Sequence, residues 1–273
     1  MKLCVVGNSH IGMFRAGLGA DISADVTFFA LAQGKYGNTE LRGSTLVETS
    51  AKRREILAGY GLADQIDLAD FDGVVFTGSV GGVPAALALA AGMSVSSWPS
   101  GQKAMIEARK TAAPSTPLRR PLLSGAAFEA AFEAISRGRR THRLASALRT
   151  NLDLPIFIVP EPLPSAHVTT QKQPLAMRVR QVQKHGDGRA LLASLRTARQ
   201  RAYADIPRLE IIEQPGHTIE QGFLTKPAFT RGAIRIDGVK THGTEDFIHG
   251  NADLGALLLL QVASALEIAS KTR

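Results

Sequence analysis

The chain has 273 residues, of which 44% are hydrophobic and 21% charged, and it carries a formal net charge of +8. This composition is that of a globular protein and excludes collagen-like, low-complexity and disordered classes, while the length suffices for a large buried core. No segment approaches the roughly 18 consecutive apolar residues of a membrane helix, and the apolar N-terminal run is too short for a signal peptide. From the length we expect a single domain spanning residues 1–273. The single cysteine, Cys4, excludes an internal disulfide, and we therefore expect the protein in the cytoplasm.

Short β-branched runs alternate along the chain with segments of helical periodicity. Strands are predicted at residues 2–6, 25–30, 73–77, 155–159 and 209–212, with a hairpin within 41–49. Helices are predicted directly after the first strand, from Pro84, and over residues 124–148, 187–204 and 253–268. Strands that alternate with helices imply a sheet covered on both faces. The sequence therefore predicts an α/β fold with three α/β/α layers around a mostly parallel five-stranded sheet.

The turn after the first strand, residues 7–12, has the sequence Gly-Asn-Ser-His-Ile-Gly. Ligands of open α/β sheets bind at the carboxyl ends of the strands, where this turn lies. A dinucleotide-binding turn requires glycine at the position of Ser9, and a phosphate-binding P-loop requires lysine and a hydroxyl residue where Met13 and Phe14 stand. The remaining interpretation is a nucleophilic serine, Ser9, whose backbone N–H is directed at a developing oxyanion.

A serine nucleophile needs a base to take its proton and a third group to orient that base. Near the C-terminus the chain has the segment Asp246-Phe-Ile-His249, directly ahead of the last predicted helix. A carboxylate three residues before a histidine, within one turn, reaches the imidazole Nδ1 and leaves Nε2 to face the serine. We therefore predict a catalytic triad of Ser9, His249 and Asp246.

These two segments resemble the first and last conserved blocks of the SGNH (GDSL-type) hydrolases. The first block of that family is a Gly-Asp-Ser-like turn after strand one, which Gly7-Asn8-Ser9 matches with Asn8 in place of aspartate. The last block is Asp-x-x-His before the C-terminal helix, which Asp246 and His249 match. The resemblance spans the whole chain, and it implies a flavodoxin-like sheet and a mechanism that uses no metal and no other cofactor.

The resemblance also implies an oxyanion hole in which the nucleophile's own N–H is joined by a glycine after the second strand and an asparagine after the third. Gly34 occupies the glycine position, with Gly37 as the alternative. Val80 stands where the asparagine is expected, and the side chain of valine donates no hydrogen bond. Ser79, Asn38 or a backbone N–H is therefore expected to replace the asparagine.

The reaction that the resemblance implies is hydrolysis of a small acyl ester through an acyl-enzyme, with an O-acetyl group on a carbohydrate or a lipid-like ester as substrate. Two alternatives remain open. One is acyl transfer by the same triad, in which an acceptor alcohol replaces water. The other is a non-catalytic binding protein on a decayed hydrolase fold, which the missing asparagine at Val80 suggests.

Each candidate residue also has an ordinary structural interpretation. Ser9 fits the N-cap of a helix, and Asp246 fits a loop turn. His10 and Asn38 are expected to contact the substrate, and His242 is an alternative base. The other histidines have no metal-ligand spacing, and packing or surface roles are expected for them: His142, His167, His185 and His217.

Positive charge is concentrated in the middle of the chain. Of the 32 lysines and arginines, 19 lie between residues 103 and 208, together with only 7 of the 24 acidic residues. An anionic substrate and solvated helix faces both account for this pattern. Helical spacing favours a solvated face, away from the active site, for four arginines: Arg137, Arg139, Arg140 and Arg143. No aromatic residues are interleaved with them, so no nucleic-acid partner is predicted.

Overall fold

The computed structural model describes residues 1–19, 21–31, 39–90, 92–110 and 120–271. Its strands, in chain order, are β1 (Lys2–Gly7), β2 (Asp25–Ala30), β3 (Thr39–Arg42), β4 (Thr45–Glu48), β5 (Gln65–Asp67), β6 (Gly73–Thr77), β7 (Ser94–Val95), β8 (Leu122–Leu123), β9 (Ile156–Val159), β10 (Leu209–Ile211), β11 (Ile219–Glu220) and β12 (Leu224–Thr225). Its α-helices are α1 (Ile11–Gly17), α2 (Ala51–Gly59), α3 (Val83–Leu89), α4 (Pro99–Lys110), α5 (Gly125–Arg137), α6 (Arg140–Arg149), α7 (Pro174–His185), α8 (Gly188–Tyr203) and α9 (Ala252–Lys271).

The main sheet has five strands in the order β10-β9-β6-β1-β2, and all four pairings are parallel. The predicted five-stranded parallel sheet is therefore confirmed, with strand boundaries within about a residue of those expected from the sequence. The central strands β1, β6 and β9 are buried over almost their whole length. Strands buried on both faces have continuous apolar sequences, and these strands were therefore identifiable from the sequence.

Helices cover both faces of this sheet. Alternate residues of β1 point to opposite sides, so Leu3 and Val5 pack with the side chains of α1 and α9, while Cys4 and Val6 pack with those of α6 and α8. Burial raises the pKa of the Cys4 thiol, which suits a core side chain. The architecture is α/β and compatible with three α/β/α layers.

The helix predicted over residues 124–148 is wrong as a single element, because the chain forms two helices there. α5 ends at Arg137 with Gly138 as its C-cap. Arg139 has an extended backbone and is the N-cap of α6. The two helices pack in different places: Phe128 and Phe132 of α5 face α3 and α8, whereas α6 lies against the sheet. One straight helix cannot reach both surfaces. The sequence also carries a signal of the break, because residues 136–143 contain no apolar side chain and include Gly138.

Helix α9 is the one helix of the described chain that is long and apolar enough to cross a membrane by length and composition, which by itself is weak evidence. One of its faces packs into the core against α1, through buried Leu254, Leu258 and Val262. Asn251 caps the helix, because its Oδ1 accepts the Leu254 N–H at 3.3 Å.

Candidate active site

The candidate site lies at the carboxyl ends of the central strands. The segments that follow β1, β6 and β9 line one cavity of about 850 Å³. This volume lies in the range of small-molecule binding sites, and the position is the usual one for ligands of open α/β sheets. Ser9 and His249 are half-buried and border the cavity through their neighbours Asn8, His10 and Ile248.

The structure brings together the three residues of the predicted triad. The Nε2 atom of His249 lies 2.9 Å from the Ser9 hydroxyl oxygen, across 240 residues of sequence. The other ring nitrogen, Nδ1, lies 2.7 Å from Oδ2 of Asp246. Both distances are those of hydrogen bonds, and the order serine, imidazole, carboxylate is the one that nucleophilic catalysis requires.

The Asp246 carboxylate is held in place by its own segment. Its Oδ1 accepts the backbone N–H groups of Ile248 and His249, each at 3.0 Å, while Oδ2 accepts from the imidazole. Burial alone would raise the pKa of Asp246, but the hydrogen bond and charge of His249 and the two N–H donors hold that pKa well below its usual range. The group is therefore a carboxylate at neutral pH, able to stabilise an imidazolium.

Ser9 does not cap the first helix. Helix α1 begins at Ile11, its N-cap position is His10, and no side chain makes a cap hydrogen bond there. Instead, the Ser9 hydroxyl faces His249. The capping interpretation, which the sequence left open, is wrong because the helix begins one residue later than a Ser9 cap requires.

His242 and His10 both lie beside the His249 imidazole. His242 stacks on His249 with ring centroids 3.8 Å apart, and its Nδ1 lies 3.1 Å from Oδ2 of Asp246. Burial, and then the charge of His249, lower the pKa of His242, which favours the neutral form of its ring. His10 lies on the other side, 4.8 Å from the His249 ring. Among the described histidines, His249 is the one hydrogen-bonded to the Ser9 hydroxyl, which contradicts His242 as the base.

The atoms that His242, Asp246 and His249 would offer a metal ion lie within 4.8 Å of one another. Nδ1 of His249 is hydrogen-bonded to Oδ2 of Asp246, and Nδ1 of His242 lies 3.1 Å from the same oxygen. The third candidate donor, Nε2 of His249, is directed at a hydroxyl. Hydrogen bonding therefore accounts for the cluster, and a chelator test separates it from a metal site.

The turn after β6 lies beside the turn that carries Ser9. Gly78 has φ +73 and packs against Asn8, such that a Cβ built on Gly78 would lie 2.6 Å from Asn8 Cγ. Ser79 has φ +53, a left-handed conformation that is uncommon for serine, and it lines the cavity. Val80 is fully buried in the core, and its N–H donates to Glu161 Oε1 at 3.0 Å. Val80 therefore offers the cavity neither a side-chain nor a backbone donor.

Three residues predicted for the substrate side lie outside the described residues: Gly34, Gly37 and Asn38. The predicted donors that the structure does describe are Ser9 and Ser79. In the described part of the chain, neither backbone N–H has a protein acceptor, so both remain available to a ligand.

The prediction that the central arginines form a solvated face away from the site is wrong for three of the four. Arg139, Arg140 and Arg143 line the cavity, whereas Arg137 pairs elsewhere with Glu133 and Asp205. The reason is the break after α5, which redirects the chain so that the start of α6 faces the strand ends. Thr141 fixes this arrangement, because its hydroxyl donates to the Gly78 carbonyl at 2.6 Å.

Two further residues of the site were not identified from the sequence. Thr77 ends β6, and Glu161 follows β9 in the proline-rich segment 160–164. Both line the cavity, and the buried atoms Thr77 Oγ1 and Glu161 Oε2 have no hydrogen-bond partner among the described residues. Their position directly after buried parallel strands was the available signal.

Comparison of the chain with protein-family models, with curated proteins and with solved structures found no match in any of the three.

Proposed function

We propose that this protein is a serine hydrolase that cleaves carboxylic esters, with Ser9 as nucleophile, His249 as base and Asp246 as the orienting carboxylate. The observation that carries the proposal is the continuous chain of hydrogen bonds from Ser9 Oγ to His249, at 2.9 Å, and from His249 to Asp246, at 2.7 Å. A structural serine needs no such chain, and the chain neighbours of Ser9, Asn8 and His10, line a cavity of substrate size.

In the proposed reaction, Ser9 Oγ attacks the ester carbonyl carbon while its proton passes to Nε2 of His249. The imidazolium that forms is stabilised by the Asp246 carboxylate. When the tetrahedral intermediate collapses, the C–O bond to the alcohol breaks and the alcohol takes the proton from His249. Water then attacks the acyl-enzyme with His249 again acting as base, which releases the acid and restores Ser9.

The oxyanion of each intermediate would be bound by the backbone N–H groups of Ser9 and Ser79. Both groups are without a protein acceptor in the described residues, and Ser79 belongs to the turn that packs on Asn8, next to the nucleophile. The left-handed backbone of Gly78 and Ser79 turns this segment away from the direction of β6. Preorganised donors of this kind supply about two to three orders of magnitude in rate each.

The fold supports the resemblance to SGNH hydrolases that the two sequence motifs suggest. Counted along the chain, the strands of the main sheet have the order 2-1-3-4-5, which is the flavodoxin-like order. Ser9 follows the first of these strands, and the Asp246 segment lies directly ahead of α9. We infer an SGNH-type hydrolase in which a backbone donor replaces the oxyanion asparagine.

The test is covalent labelling by a fluorophosphonate probe together with turnover of para-nitrophenyl acetate. Wild-type protein is expected to react at a single serine, and Ser9→Ala is expected to lose both labelling and turnover while its melting temperature stays within a few degrees of wild type. A half-buried serine that packs little apolar surface contributes little to stability. Both activities should persist in a metal chelator.

A matched control is available in the chain. Ser165 also contacts a histidine, with its Oγ 2.7 Å from His167 Nδ1, but this serine is fully buried and is also hydrogen-bonded to Thr230 Oγ1. The other ring nitrogen of His167 has no hydrogen-bond partner, carboxylate or otherwise, among the described residues. Folded Ser165→Ala should therefore label like wild type. Labelling that survives in Ser9→Ala, or that disappears in Ser165→Ala, would contradict the proposed nucleophile.

A further inference from the structure

Three arginines and several unpartnered polar atoms share the cavity beside the proposed nucleophile. Arg139, Arg140 and Arg143 come from the start of α6, while His10 borders Ser9. On the basis of the proposed hydrolase function, we propose that the cavity binds an ester that carries an anionic group, a carboxylate, sulfate or phosphate, and that Arg139 is its principal charged contact.

The charge balance of the cavity supports an anionic ligand. Arg139 is half-buried and forms no ion pair or hydrogen bond through its side chain within the described ranges. Arg140 donates to the Thr39 carbonyl at 2.9 Å and lies near Glu48, so part of its charge is balanced. Arg143 is exposed, with only a long contact to a backbone carbonyl. A guanidinium without an anionic partner is suited to bind a carboxylate or phosphate in bidentate fashion.

One acidic residue, Glu161, lines the same cavity and does not cancel this charge. Its Oε1 accepts the Val80 N–H, and its negative charge interacts with the buried guanidinium of Arg199 behind the cavity wall. The positive charge of Arg139 and Arg143 therefore remains available to a ligand, in a partly enclosed space where charge pairs are stronger than in water.

A second and independent observation indicates that the cavity is built to hold a polar ligand. His10 and Thr77 are more than nine-tenths buried and both line the cavity, yet His10 Nδ1 and Thr77 Oγ1 have no partner among the described residues. Buried polar atoms are normally hydrogen-bonded, so these two atoms are donors or acceptors that a ligand would satisfy. An acetyl group alone fills only a small part of a cavity of about 850 Å³.

The test compares matched esters that differ only in charge. One pair, para-acetoxybenzoate and para-acetoxybenzamide, carries the difference in the alcohol part; the other, the para-nitrophenyl monoester of glutarate and para-nitrophenyl pentanoate, carries it in the acyl part. We expect the anionic member of one pair to have a kcat/KM about tenfold or more above its neutral partner at low salt, with the advantage shrinking as salt is added. Which pair responds identifies the part of the substrate that carries the anion.

Two variants sharpen this measurement. Arg139→Gln should reduce the anionic preference to about twofold or less, whereas Arg178→Gln, which removes the same charge from an exposed position on α7 outside the cavity, should retain it. Arg143→Gln provides a second cavity variant should Arg139→Gln fold poorly. A preference that is absent in both pairs, or that persists in both cavity variants, overturns the proposal.

Binding of non-hydrolysable amides distinguishes a failure of this inference from a failure of the hydrolase proposal. para-Acetamidobenzoate and the monoanilide of glutarate are titrated calorimetrically against their uncharged counterparts. A Kd about tenfold lower for one anion, lost in Arg139→Gln, supports the anion site even if no ester is hydrolysed. Equal or weaker binding of both anions overturns the anion site, even if Ser9 is labelled and neutral esters are turned over.

Discussion

The Asp246–His249 pair and the cavity wall differ in how far apart in the sequence the groups lie that fix their geometry. Asp246 and His249 belong to one turn, whose own backbone N–H groups hold the carboxylate. The cavity wall formed by Arg139, Arg140 and Arg143, the arginine wall, instead depends on tertiary structure. It requires the end of α5, the direction of α6 and the contact of Thr141 with Gly78. The orientation of the base is thus encoded locally, whereas the recognition surface depends on tertiary packing, as does the contact of the base with Ser9. Substitutions in the two regions should therefore fail in different ways.

The largest effect is expected on the triad side, from Asp246→Asn. The amide would turn an N–H toward His249 Nδ1 and favour the wrong tautomer, so kcat should fall by about ten-thousand-fold. The side-chain oxygen that accepts from Ile248 and His249 is retained, and the melting temperature should therefore change little. The measurement is steady-state hydrolysis of para-nitrophenyl acetate with calorimetric melting. A fall of less than tenfold would show that Asp246 does not orient the base.

On the wall side, Gly78→Ala should cost both activity and stability. The left-handed φ of +73 is strained for alanine, and the new Cβ would lie 2.6 Å from Asn8 Cγ. The Ser79 turn would have to move, so we expect kcat to fall by about a hundredfold through loss of one oxyanion donor.

Gly43→Ala is the matched control for this variant. Gly43 has a similar φ of +62 in the hairpin between β3 and β4, with nothing within 4 Å of the added Cβ. It should lose about 1–2 kcal/mol of unfolding free energy from backbone strain alone, with unchanged kcat. Equal kcat values for the two variants would mean that the turn at Gly78 does not position the oxyanion donors.

The difference between local motifs and tertiary packing also explains which features could be predicted from the sequence. Parallel strands such as β1 and β6 are apolar runs bounded by glycine, and the triad lies in two short motifs, so both were identifiable without coordinates. The break after Arg137 has a signal, since residues 136–143 contain no apolar side chain and include Gly138, but the direction that α6 then takes is decided only by its packing on the sheet. The arginine wall was consequently mispredicted. Thr77 and Glu161 carry no motif and gain a role only from the strand ends that they follow.

His10 connects the two regions, since it borders Ser9 and lines the cavity, and it provides the smallest of the expected effects. Burial, and then the charge of His249, lower the pKa of His10 to about 3, whereas the unfolded chain should titrate near 6.5. Between these values the unfolded state binds a proton that the folded state does not. Stability should therefore rise with pH in this window and be lost as pH falls from about 6.5 toward 3.

The predicted size of this effect is about 1.4 kcal/mol of unfolding free energy per pH unit at most, contributed by one residue. His10→Asn removes the titration and should flatten the dependence by about that amount between about pH 4 and pH 6, as measured by urea unfolding. Contributions from His242 and other groups common to both proteins cancel in the difference. His185→Asn, at an exposed position in the last turn of α7, should leave the slope unchanged. Parallel curves for wild type and His10→Asn would mean that His10 is protonated in the folded protein, and a charged group so close to Ser9 would itself be a candidate contact for the anionic substrate.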